Sequence, residues 1–175
     1  MLAVFILGSI WTVLSRIPAA ATTNGQPPPS AREGFSAPDF TLELLGGGEV
    51  TLSDLRGQVV MVNLWASWCP PCRKEMPAIE QVYQDFKEDG LVVLAVNTIY
   101  QDSEAGAAAF VQEFGLSFPI PLDRTGAVAR QYQLRGLPST YFIDRNGVIQ
   151  SVVVGGPMSE ALLRSKVQDL LAEMP

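Results

Sequence analysis

The chain has 175 residues, a formal charge of −6, two cysteines and no histidine. That length allows one domain with a genuine core, and the acidic balance speaks against nucleic acid as a partner, which would require a basic stripe. With no histidine and no third cysteine, the chain also lacks the four ligands of a zinc or iron–sulfur site.

Leu2 to Leu14 is an apolar run broken only by Gly8, Ser9 and Thr12. It is shorter than the roughly 20 residues of a membrane span and suits the apolar region of an export signal, with Ala19-Ala20-Ala21 as a cleavage site. No Lys or Arg precedes the run and Arg16 follows it, which is the unfavourable side for such a signal; a start further upstream would supply the missing charge. Residues 1–21 are therefore expected to be a signal peptide or an uncleaved membrane anchor. Residues 22–35, with Pro27-Pro28-Pro29, read as an extended tether. Residues 36–175 are the expected domain, placed outside the cytoplasm.

Within the domain, Phe40–Leu44 and Val50–Leu52 flank Gly46-Gly47-Gly48 and predict a short hairpin. Val59–Trp65 is a continuous apolar run of strand length, as in a strand buried on both faces. A helix should follow to about Glu88, carrying Met76, Ile79, Val82, Tyr83 and Phe86 on one face and kinked at Pro77. Leu91–Val96 reads as a second buried strand, Glu104–Phe114 and Ala127–Tyr132 as helices. Ser139–Asp144 and Val148–Val154 should form a hairpin through Asn146-Gly147, two residues that tolerate positive φ. Ser159–Glu173 closes the chain as an amphipathic helix with Ser159 as N-cap. This order predicts an α/β domain: a central mixed β-sheet with helices on both faces and an added N-terminal β-hairpin.

The two cysteines sit together in Trp68-Cys69-Pro70-Pro71-Cys72, between the first buried strand and the first long helix. As a structural staple the pair would close only a four-residue loop, worth about 2 kcal/mol in the chain-entropy model. A dithiol that opens and closes is the better reading. Cys69 falls at the helix N-terminus, where free N–H groups and the helix dipole favour a thiolate, so its pKa is expected below the ~8.5 of a free cysteine. Pro70 suits the first helical position. Cys72, one turn further in, should be the buried partner. Cys69 would attack a substrate disulfide and Cys72 would resolve the mixed disulfide, forming Cys69–Cys72. This chemistry requires no cofactor. A Cu(I) carrier, in which the two thiolates hold the metal, is the alternative from another class.

These residues, with Ala37-Pro38-Asp39-Phe40, Leu52-Ser53-Asp54-Leu55-Arg56-Gly57, Asn63-Leu64-Trp65-Ala66-Ser67 and Gly136-Leu137-Pro138-Ser139-Thr140-Tyr141-Phe142-Ile143-Asp144, carry a resemblance. The chain resembles the thioredoxin superfamily, and within it the TlpA-like and ResA-like extracytoplasmic thiol-disulfide oxidoreductases, whose domain is of the redoxin or AhpC/TSA-like kind. The resemblance implies a thioredoxin-like fold. It implies that Pro138 is a cis-proline facing the Cys pair, and that Leu137 offers its backbone to an extended substrate. Trp68, Pro70 and Pro71 would line the substrate surface. Glu75 would be a buried carboxylate below the pair that carries protons. Asn63 departs from thioredoxin itself, which has a titrating aspartate there, so the proton task would fall to Glu75.

The implied partners are a protein thiol or disulfide substrate, with apocytochrome c favoured, and a membrane thiol-disulfide electron donor. An oxidase that installs disulfides would use the same pair. A peroxidase reading is weaker, because Ala66 stands where a peroxidatic site has threonine.

Overall fold

The computed structural model describes residues 26–173. The expected signal or anchor, residues 1–21, lies outside them. Among the described residues no helix is long and apolar enough to cross a membrane.

The first hairpin pairs β1 (Thr41–Glu43) with β2 (Glu49–Thr51), antiparallel. The main sheet contains β3 (Val59–Trp65), β4 (Leu91–Asn97), β5 (Ser139–Ile143) and β6 (Ile149–Val154), in the order β4-β3-β5-β6. β3 runs parallel to β4 and antiparallel to β5, so the sheet is mixed. Four helices accompany it: α1 (Pro70–Phe86), α2 (Glu104–Phe114), α3 (Ala127–Gln131) and α4 (Glu160–Ala172).

β3 is buried along its whole length, and its alternating side chains feed two cores. Val59, Met61 and Trp65 join Met76, Ile79 and Val82 of α1, Phe110 of α2, and Val167 of α4. Val60, Val62 and Leu64 join Phe40, Tyr132, Tyr141 and Val128 of α3. Asn63 takes the odd-numbered parity of β3, the one that meets α1. A polar residue in that register is therefore delivered to the helix that carries the cysteines.

α1 passes unbroken through Pro77, although proline cannot donate to the Arg73 carbonyl. It gives way to a turn at Lys87–Asp89, and Gly90 takes φ 100°, a left-handed stop that glycine adopts without strain. α4 is capped as expected, the Ser159 side chain accepting from the Leu162 N–H at 3.3 Å. β5 and β6 form the expected antiparallel hairpin. In the turn between them only Gly147 has positive φ (80°), because Asp144 organises it: its Oδ1 accepts from the N–H groups of Asn146 and Val148, both at 2.9 Å. With those donors satisfied, Asn146 need not enter the left-handed region.

Part of the segment read as a tether lies against the domain. Ser36 Oγ donates to the Pro27 carbonyl at 2.7 Å, Gln26 donates to the Asn146 carbonyl at 3.0 Å, and Val152 N–H donates to Glu33 at 2.9 Å.

Candidate active site

β3 ends at Trp65, and the chain reaches α1 through Ala66–Cys69. Cys69 is extended (φ −82°, ψ 111°) and is the N-cap of α1, with Pro70 and Pro71 opening the helix. These prolines have no N–H to leave unpaired, so Cys72 carries the first free donor, and it points at Cys69 Sγ at 3.3 Å. The two sulfurs are joined as a disulfide, with Cα atoms 5.3 Å apart. Cys69 is 2% exposed and Cys72 is fully buried; only Cys69 lines the groove above.

Two segments close over the pair. The first is Leu137-Pro138, whose peptide bond is cis. Leu137 N–H and C=O have no hydrogen-bond partner among the described residues, whereas the Pro138 carbonyl accepts from Gly155 N–H at 2.8 Å. The second is Gly155–Met158, with a second cis bond at Gly156-Pro157. A methyl group on Gly156 would stand 2.7 Å from Glu75 Oε2 and 2.9 Å from Pro138 Cγ. The Glu75 carboxylate, the Pro138 ring and the Gly156 backbone therefore share one tightly filled space.

Glu75 follows Cys72 by three residues, on the same side of α1, and is fully buried. Its Oε1 accepts from Asn63 Nδ2 at 2.9 Å and its Oε2 from the Met158 N–H at 3.1 Å. Burial pushes its pKa above the ordinary carboxylate value, and these two donors only partly offset that. Asn63 Nδ2 also faces Thr140 Oγ1 at 2.9 Å, while Asn63 Oδ1 is buried without a partner. Asn63 thus spends its donors on one carboxylate and one hydroxyl and keeps an unused acceptor.

The loop before Cys69 is held from the other side. Asp102 accepts from Ser67 N–H at 2.6 Å, Ser67 Oγ at 2.7 Å, Asn97 Nδ2 at 3.0 Å and Ser103 N–H at 2.8 Å. Burial alone would raise its pKa, but the four hydrogen bonds hold it below the ordinary value. Sequence reasoning missed this clamp, because nothing in Gln101-Asp102-Ser103 separates it from an ordinary helix start.

Trp65 and Trp68 part company. Trp65 is fully buried core, its Nε1 donating to the Ala95 carbonyl at 2.9 Å. Trp68 is 56% exposed, with Nε1 donating to the Gln101 carbonyl at 2.9 Å, and forms a wall of a groove of about 410 Å³ that has Cys69, Pro70 and Pro71 along its floor. Tyr100, Gln101, Leu134, Arg135, Gly136 and Leu137 complete the walls; Tyr100 and Arg135 are additions that the sequence reading lacked. Among the described residues no three His, Cys, Asp or Glu are grouped to hold a metal ion.

Residues 34–152 match the AhpC/TSA family model. The chain belongs to the AhpC/TSA family. It is 40% identical over 131 residues to the thiol-disulfide oxidoreductase ResA of Geobacillus kaustophilus, covering 75% of this chain and 74% of that one. Among solved structures it is similar to a thiol:disulfide interchange protein of the thioredoxin family from Chlorobium tepidum, with a TM-score of 0.72 and 26% identity over 78% of this chain and 96% of the other. It is also similar to a secreted Mycobacterium tuberculosis disulfide oxidoreductase, with a TM-score of 0.68 and 25% identity over 75% of this chain and 96% of that one. The fold is thioredoxin-like, and the protein is a ResA-like thiol-disulfide oxidoreductase with a redox-active Cys pair.

Proposed function

We propose that the domain acts outside the cytoplasm as a reductant of protein disulfides, with the haem-attachment cysteines of apocytochrome c as its favoured substrate. The supporting observation is the division of labour in the Cys pair: Cys69 lines an open groove at a helix N-terminus, while Cys72 and Glu75 lie buried beneath it. The apolar run Leu2–Leu14 and the secreted mycobacterial relative support the compartment.

In the reduced protein the Cys72 N–H and the α1 dipole stabilise the Cys69 thiolate. Cys69 Sγ attacks one sulfur of the substrate disulfide; that S–S bond breaks, and the other substrate sulfur leaves as a thiolate and takes a proton. Glu75 takes the proton of Cys72, whose thiolate attacks Cys69 Sγ. The mixed disulfide breaks, Cys69–Cys72 forms, and the second substrate thiol departs. Two electrons pass from the dithiol to the substrate, and a membrane dithiol donor resets the pair. Leu137 offers its free N–H and C=O to an extended substrate strand, with Pro138 facing the sulfurs and Trp68, Pro70 and Pro71 beneath it.

The test is a Cys72→Ser variant expressed in a host that makes c-type cytochromes. It should hold substrates as mixed disulfides on Cys69, identifiable by mass, with apocytochrome c among them. Failure to trap any protein would reject the exchange mechanism.

A further inference from the structure

The groove above Cys69 carries one charge. Arg135 is the only ionisable side chain other than Cys69 and Tyr100 along its lining, and it is exposed. Among the described residues Arg32 and Arg56 are unpaired too but lie outside the groove lining, whereas several other arginines of the domain are committed. Arg73 pairs with Glu113, Arg124 with Glu43 and Glu104, and Arg164 with Asp85 and Glu160, while Arg145 caps the carbonyls that end α4. Arg135 makes no ion pair and no side-chain hydrogen bond among the described residues. Asp102, the acid beside the groove's Gln101, has both oxygens occupied by four donors. A second cation stands behind the aromatic wall: Arg130 Nη1 and the Tyr100 ring both lie 3.3 Å from where a Cβ on Gly126 would sit.

A guanidinium left without a counter-charge in the groove that Cys69 lines is complementary to an acid supplied from outside. Leu137, two residues further on, has the free backbone that an added strand would pair with, so a substrate lying there passes Arg135 as it leaves the Cys pair. We propose that Arg135 is a specificity-determining residue that selects protein disulfides whose reacting cysteine is flanked by Asp or Glu, with Trp68 and Tyr100 receiving an apolar neighbour. This rests on the reductase reading above and names the substrate class for it. An exposed ion pair of this kind is worth about a two- to fivefold rate preference, carried mainly in association and screened by salt. The protein's overall charge works the other way and favours a basic substrate at long range, so an acidic preference can only arise locally.

The experiment uses the full chain, reduced and freed of reductant, with two peptides that differ only in Glu or Lys on both sides of a cysteine held in mixed disulfide with 2-mercaptoethanol. The Glu peptide should react about two to five times faster at low salt, and the preference should fade by about 0.5 M salt. Arg135→Glu should invert it. Lys166→Glu, the same charge change on α4 at a different cavity, should retain the wild-type order. Equal rates for the two peptides, or a preference that R135E leaves in place, overturns the assignment while leaving the reductase reading intact. If neither peptide nor the neutral bis(2-hydroxyethyl) disulfide is reduced, the reductase reading fails and the assignment fails with it.

Discussion

Replacing Glu75 with glutamine isolates the proton-carrying group without changing its shape. In the unfolded chain Glu75 titrates at the ordinary carboxylate value of 4.5, whereas in the folded protein burial raises it. Above pH 4.5 the folded state therefore holds more proton than the unfolded one. The associated stability is fully present below 4.5 and is lost as pH rises toward the folded-state value, with a slope no steeper than about 1.4 kcal/mol per pH unit. The glutamine side chain would have nothing to titrate. The difference between Glu75→Gln and wild type should accordingly move in favour of the variant as pH rises from 4.5.

The fixed cost of the substitution is bounded by the hydrogen bonds. Two donors, Asn63 Nδ2 and Met158 N–H, point at the carboxylate, and a glutamine amide offers one oxygen and one donor. The mismatch would cost about 1–3 kcal/mol, reduced where turning the Asn63 amide presents its partnerless Oδ1 to one N–H of the new NH2 group. Urea unfolding of the oxidised proteins across pH 4–8 measures both quantities. Parallel curves would refute the reasoning, since they mean Glu75 ionises as freely folded as unfolded. In stopped-flow reduction of a disulfide, the same variant should slow resolution and lose its dependence on pH through the Glu75 titration.

Gly156→Ala puts a methyl 2.7 Å from Glu75 Oε2 and 2.9 Å from Pro138 Cγ, an overpacking that should cost about 1–3 kcal/mol in urea unfolding; stability equal to wild type would show that the space is not filled as described. Each Asp102 oxygen accepts from two donors, so Asp102→Asn leaves two of the four facing an NH2 group and should destabilise by about 1–3 kcal/mol at neutral pH. Because the Asp102 pKa is depressed, its contribution is present above the ordinary 3.8 and is lost as pH falls below it, so the gap between variant and wild type should narrow in acid unfolding below that pH.

Much of the framework was legible because it rests on local rules. The apolar run Val59–Trp65 could be read as a strand buried on both faces, and α2 has the expected bounds, Glu104–Phe114, because its N-cap and Gly115 stop are written in the chain. The start of α1 followed from Cys69-Pro70-Pro71. The β5–β6 hairpin was legible in Asn146-Gly147, but the Asp144 carboxylate that holds its turn was not. Tyr100, Asp102, Arg135 and Gly156 were not legible as site residues. They come to the site from three separate loops, Tyr100 and Asp102 sharing one, and no spacing rule links loops that meet only when the sheet assembles.

By itself, then, the sequence determined the chemistry: two sulfurs at a helix N-terminus, no metal ligands to compete for them, and a strand-and-helix order that a mixed sheet satisfies. Those outcomes depend on contacts within a few residues, where backbone geometry and side-chain type leave few choices. Only the tertiary structure decided the surroundings. The parity of β3 brings Asn63 onto Glu75, the Gly155–Met158 loop seals that carboxylate from water, and Arg135 stays without a counter-charge along the groove that Cys69 lines. Desolvation and charge pairing depend on everything folded around a group, and that is set only when distant segments come together.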